Sequence, residues 1–91
     1  MGNNVFMKKI CFYGNKNIIA NKLKVLREKK GLSQCDLAAK LQTMNVNIDQ
    51  QMVSKIEKNN RQVTDYELEC ICKCLTVTPN ELINFSEIKF D

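Results

Sequence analysis

Three capping signals of one kind constrain this chain to a set of short helices. In each, a serine or threonine precedes an acidic residue by three positions, so that the hydroxyl can accept a backbone N–H while the carboxylate reaches back. The signals start at Ser33, Thr64 and Thr78, and Pro79 follows the last one at a position that a helix tolerates. They predict helices that begin near residues 34, 65 and 79.

Apolar spacing and one further cap supply the remaining helices. Ile19, Leu23 and Leu26 recur at helical intervals, and Gly31 follows as a stop signal. Asp49 can cap another helix. We predict an all-α fold with helices at about residues 18–30, 34–41, 50–58, 65–75 and 79–85. The domain is expected at 17–85, between an N-terminal arm at 1–16 and a C-terminal tail at 86–91.

The arm and the tail carry weaker signals. The arm has apolar residues without a helical period, which fits a partly ordered segment or an extended one packed on the body or on a partner. The tail alternates Ile88 and Phe90 with polar residues, which fits an extended piece or a frayed end.

The charges are unevenly distributed along the chain. The formal net charge is +4, but residues 1–61 hold 12 Lys or Arg and 4 Asp or Glu, whereas residues 62–91 hold 2 and 6. The first two thirds is therefore where a polyanion would dock.

The five cysteines favour reduced thiols over a disulfide scaffold or a metal site. Their number is odd, no signal peptide precedes them, and the chain has no histidine. Cys70 and Cys74 lie one helical turn apart with Cys72 on another face, so the three do not converge on one ion. We expect a cytoplasmic protein without metal or cofactor, with metal or redox sensing as the weaker alternative. No apolar run reaches about 18 residues, so no membrane span is expected.

The stretch IDQQMVSKIEKNNR, residues 48–61, predicts a helix with two different faces. Val53 and Ile56 share an inward face, while glutamine, serine and lysine side chains point elsewhere. Amides suit base edges and ammonium groups suit phosphates, which favours a DNA-recognition helix. The alternative is a solvated helix face. The sequence offers no convincing carboxylate pair, activated nucleophile or phosphate loop, so we do not expect an enzyme.

Three blocks in fixed order give a more specific indication: LREKKGLSQCDLAAKL, QQMVSKIEKNNR and LECICKCLTVTPNEL. Over residues 18–83 the chain resembles the helix-turn-helix domains of the Cro and phage-repressor type, the XRE family. The resemblance implies a lambda-repressor-like fold in which the third helix enters the major groove. One departure is the connection at residues 42–48, which is longer than the turn of about four residues typical of this motif.

The resemblance also implies roles for particular residues. Arg27 is expected to pair with Glu57 and hold the third helix in place. Base-reading residues would be Gln50, Gln51, Met52, Ser54 and Lys55, and phosphate contacts would come from Gln34, Lys58, Asn59, Asn60 and Arg61. Among these, Gln51 is the best candidate for a bidentate contact with adenine.

The expected function is a sequence-specific transcription regulator of double-stranded DNA, acting as a repressor. The alternative is a protein-interaction module, such as an antitoxin or a regulatory partner. We expect a homodimer, because one recognition helix reads only a few base pairs. Candidate interfaces are the arm at residues 6–13 and the C-terminal group of Ile83, Phe85, Ile88 and Phe90.

Overall fold

The computed structural model describes residues 10–11, 15–83 and 89–90 and contains five helices in that part of the chain. In chain order the elements are β1 (Ile10–Cys11), α1 (Ala20–Lys29), α2 (Gln34–Thr43), α3 (Gln50–Glu57), α4 (Asp65–Leu75), α5 (Pro79–Leu82) and β2 (Lys89–Phe90). The predicted all-α, five-helix fold is confirmed. Beside the helices, β1 and β2 pair in antiparallel fashion, with Ile10 opposite Phe90.

The helix bounds differ from the predicted ones by a few residues at most. Helix α2 runs to Thr43, beyond the predicted end at 41, and α5 ends at Leu82 because Ile83 has an extended backbone. Phe85, which was predicted to lie in α5, falls outside the described residues. The same holds for Ile88 and for most of the arm at residues 6–13.

All three predicted capping boxes are present. At Ser33, Thr64 and Thr78 the side-chain oxygen accepts the backbone N–H three residues on, and the acidic side chain accepts the N–H of the cap. The carboxylate of Asp49 accepts the backbone N–H of Met52 at 2.8 Å. Each cap satisfies N–H groups that have no partner within the helix, so the sequence fixes where these helices begin.

The four longer helices end in one common way. After each, a residue with positive φ reverses the chain, and two backbone N–H groups return to carbonyls of the last turn, the Schellman arrangement. Glycine takes this conformation without steric cost, whereas threonine rarely adopts it. The four residues are Gly31, Asn45, Asn59 and Thr76.

One apolar core joins the helices. Helix α3 contributes Val53 and Ile56, which are 1% and 0% exposed, as its inward face predicted. Helix α3 packs on α1 and α2, while α4 packs on α2 and α5. The fully buried large side chains are Leu23, Leu37, Leu41, Ile48, Val53, Ile56, Ile71, Leu75 and Leu82.

The long connection between α2 and α3, residues 44–49, is fixed at both ends. The backbone N–H of Val46 returns to the carbonyl of Leu41 at 3.1 Å, which ends α2. Farther on, Ile48 is fully buried, and its carbonyl accepts from the side chain of Gln42 at 3.2 Å. The extra residues thus form an ordered turn that carries its own core residue.

Three depressed carboxyl pKa values predict how stability depends on pH. Hydrogen bonds from Arg61 lower the pKa of Glu67 below its ordinary value of 4.5, and cap N–H groups lower the pKa of Asp36 and Glu81. Such groups stabilise the folded state above their unfolded pKa, and this contribution is lost as the pH falls through the folded pKa. We expect the free energy of unfolding to be level from about pH 7 to pH 5 and to fall below about pH 4.5.

The variant Glu67→Gln tests this dependence. It removes charge-assisted hydrogen bonds, so urea denaturation at pH 7 should show a loss of about 1 to 3 kcal/mol, with a shallower decline in acid. The matched control is Glu69→Gln on the same helix, because Glu69 is 63% exposed and its ion pair is with exposed Lys73. Equal acid profiles for Glu67→Gln and the unmodified chain would contradict the assignment.

Candidate nucleic-acid interface

A buried ion pair fastens α3 to α1. The guanidinium of Arg27 donates from Nε to Oε2 of Glu57 at 2.6 Å and from Nη2 to Oε1 at 3.1 Å. Its Nη1 also donates to the carbonyl of Leu32 at 2.7 Å. The side chains of Arg27 and Glu57 are only 9% and 4% exposed, and their hydrogen bond raises the pKa of Arg27. The pair therefore joins α1 to the last residue of α3.

The polar contacts continue from this pair to the starts of α2 and α3. Nε2 of Gln34 donates to Oε1 of Glu57 at 3.0 Å, and Nε2 of Gln50 donates to Oε1 of Gln34 at 2.6 Å. Gln34 and Gln50 are the first residues of α2 and α3. The side chain of Gln34, expected at a phosphate, thus lies within a hydrogen-bonded chain from buried Arg27 to the outer face of α3.

The outer face of α3 is polar and open. Gln50, Gln51 and Lys55 are exposed, and Ser54 is half-buried between them. These four side chains line one shallow depression together with exposed Lys58 and Asn60 from the loop after the helix. Met52 differs from the other residues expected to read bases, because it is half-buried against the core.

An asparagine cluster holds the loop after α3 to the chain before α1. Oδ1 of Asn59 accepts the backbone N–H groups of Lys16 and Asn17 at 2.7 and 3.0 Å, and its Nδ2 donates to Oδ1 of Asn15. In turn, Nδ2 of Asn17 donates to the carbonyl of Ile56 at 3.1 Å and to that of Arg61 at 2.9 Å. The amide of Asn59, expected at a phosphate, is thus engaged within the protein.

Arg61 also has partners within the protein. Its Nη1 and Nη2 donate to the two carboxylate oxygens of Glu67 at 2.9 and 3.0 Å, which raises the pKa of Arg61. Of the five residues expected at phosphates, Lys58 and Asn60 are therefore the two whose side chains are exposed in the loop.

The family comparison decides what this arrangement is. A family model described as helix-turn-helix (HTH_3) matches residues 23–82, about two thirds of the chain. The chain belongs to the XRE-type helix-turn-helix family. In chain order, α2 and α3 correspond to the two helices of the motif.

A solved structure supports the same fold. The crystal structure of the DNA-binding domain of BldD matches with a TM-score of 0.64 and 22% sequence identity, covering 81% of this chain and 99% of that one. No curated protein matches this chain significantly in sequence. The helix-turn-helix family and fold are typically non-enzymatic.

Two features are absent from the residues that the structure describes. In that part of the chain, no group of three or more His, Cys, Asp or Glu side chains is placed to hold a metal ion. No helix there combines the length and the apolar character needed to cross a membrane.

The ion pair of the helix-turn-helix predicts a large effect of Glu57→Ala. The substitution leaves the buried guanidinium of Arg27 without its carboxylate, so the free energy of unfolding should fall by about 3 to 5 kcal/mol in urea denaturation. Glu28→Ala is the matched control, because Glu28 lies 3.9 Å from the same guanidinium but is 58% exposed. The control should change stability by less than about 0.5 kcal/mol. Equal stabilities of the two variants would exclude a structural role for the pair.

Proposed function

We propose that this chain is a sequence-specific DNA-binding transcription regulator that acts as a repressor and reads the major groove with α3. The observation that carries the proposal is the polar outer face of α3. The last residue of this helix, Glu57, is held to α1 by its ion pair with Arg27. A rigidly held helix with exposed amides suits base readout, because bidentate hydrogen bonds require fixed geometry. The family membership and the BldD domain, a DNA-binding domain by its title, support the same function.

Base reading is assigned to the first two turns of α3. Gln51 is exposed and can present both its amide carbonyl and its NH2 group to adenine, whereas Gln50 is oriented by its hydrogen bond to Gln34. Ser54 and Lys55 lie one turn farther on, in the same depression. Met52 would supply apolar contact at the edge of this face, since part of it packs inward.

The five residues expected at phosphates have two different proposed roles, direct contact with the DNA backbone and positioning of other groups. Lys58 and Asn60 are exposed and would contact the DNA backbone directly. Asn59 and Arg61 would act by holding the loop, through the asparagine cluster and Glu67 respectively. Gln34 would orient Gln50 and can donate its second amide hydrogen to a phosphate.

Base readout is tested by selecting sites from random duplex DNA. A sequence-reading protein enriches a defined site, and Gln51→Ala should relax one base position by about 1 to 3 kcal/mol in competition binding. The control is Asn80→Ala, which removes an exposed amide on α5. No enriched site in the unmodified chain would contradict sequence-specific binding.

A salt series separates DNA binding from a partner-binding role. If five to eight phosphates are neutralised, log affinity should fall with log salt at a slope of about −4 to −7, since each contributes about −0.9. Lys58→Ala should reduce the magnitude of the slope by about 1 per copy of α3 in contact, while the control Lys73→Ala on α4 should leave it unchanged.

A protein-interaction module is the second candidate function. The observation that favours it is the exposure of two large apolar side chains outside α3, since Tyr66 on α4 and Val25 on α1 are 78% and 59% exposed. No binding to any duplex at low salt would favour this candidate over DNA recognition.

We also propose that the chain binds DNA as a homodimer. Two recognition helices related by a two-fold axis would span half-sites about 34 to 36 Å apart, which multiplies specificity. Sedimentation at micromolar concentration should show a dimer, alone or with the selected duplex. A strict monomer in both states would contradict the proposal.

A further inference from the structure

A cysteine of α4 contacts the methionine that follows α2, and a second cysteine lies one helical turn away on α4. Sγ of Cys74 lies 3.5 Å from Sδ of Met44, the residue directly after α2. Cys70 lies one helical turn before Cys74 on α4, and all three residues are half-buried. Cys72 is buried in the core, so it lies on a different face of the helix.

The spacing of these atoms suits a single small ion. Metal–thiolate bonds are about 2.3 Å long, so sulfur ligands arranged in a triangle around one ion lie about 4 Å apart. The distance between Sδ of Met44 and Sγ of Cys74, 3.5 Å, is close to that value. Residues one helical turn apart have Cβ atoms about 5 to 6 Å apart, from which two thiol groups can converge.

The chemistry of the donors selects the type of ion. Thiolate and thioether ligands favour soft ions such as Cu(I), whereas structural zinc sites take four cysteine or histidine ligands. The chain has no histidine, and these donors comprise two thiols and one thioether. This site differs from a group of three or more His, Cys, Asp or Glu side chains, which the described residues lack, because its third ligand is a methionine thioether.

We propose that Cys70, Cys74 and Met44 form a binding site for one monovalent thiophilic ion of the Cu(I) type. On binding, each thiol releases one proton to solvent and the resulting thiolate forms a bond to the ion, while the thioether adds a neutral ligand. Burial raises the pKa of Cys74, and the ammonium group of Lys40 acts in the opposite direction. The half-exposed position leaves the thiols open to an incoming ion.

The site would join α4 to the connection that leads into α3. Met44 opens the connection at residues 44–49 that leads into α3, while both cysteines belong to α4. A bound ion would therefore tie the start of this connection to α4. The proposal rests on the sulfur cluster alone and does not depend on DNA binding.

Anaerobic competition for Cu(I) against a chromophoric chelator tests the site in the full chain. The unmodified chain should withdraw one equivalent of Cu(I) at high affinity. Cys70→Ser and Cys74→Ser should each weaken binding by more than about 100-fold, beyond the usual effect of losing an outer-shell partner. Met44→Leu preserves side-chain volume and removes only the neutral ligand, so it should weaken Cu(I) binding less, by about tenfold.

The control is Cys35→Ser, which removes an exposed thiol at the start of α2 and should leave the affinity unchanged. Far-UV circular dichroism of each variant verifies that the helices remain folded. Failure of the unmodified chain to compete, retention of one tight equivalent by the folded Cys70→Ser/Cys74→Ser double variant, or dependence on Cys35 would each overturn the proposal.

Discussion

The ion pair between Arg27 and Glu57 is the interaction on which the placement of α3 depends. Both charges are almost fully buried, so separating them would leave an uncompensated charge in the core. Replacing such a pair with apolar residues is often neutral or stabilising. We therefore infer that the pair serves to fix the position of α3 more than to add stability. Its geometry fits that role, because Glu57 also accepts from Gln34, which in turn accepts from Gln50 at the start of α3. One carboxylate is thus linked to both ends of α3.

Local chemistry made the helix starts and the inward faces predictable. A cap and its partner lie three residues apart, and core residues recur with the helical period, so short stretches of sequence specify both. Helix ends were less predictable. Gly31 was the one residue that the sequence marked as a helix stop, but Asn45 and Thr76 also take positive φ after a helix. The extended backbone at Ile83 likewise shortens α5 without a glycine signal.

The exposed polar face of α3 was predictable from the sequence, and the hydrogen bonds around it were less so. The exposed amides of α3 followed from the helical pattern, whereas the bond between Gln34 and Gln50 joins residues 16 positions apart. The contacts of Asn59 with residues 15–17 span more than 40 positions, and no periodic pattern marks such long-range polar bonds. An asparagine at the left-handed position after a helix was the available signal for Asn59. Arg61 was likewise expected at a phosphate from the family resemblance, whereas its partner Glu67 was recognised only as part of a helix cap.

The proposed contact of DNA with the outer face of α3 and the loop after it has one most direct test. It is an NMR titration of the isotope-labelled chain with a duplex obtained by selection, following every backbone amide and glutamine side chain. We expect the largest shift changes at Gln50, Gln51, Lys55, Lys58 and Asn60, with little change along α5. Changes centred instead on the surface between α4 and α5, with the glutamine side chains of α3 unaffected, would contradict it.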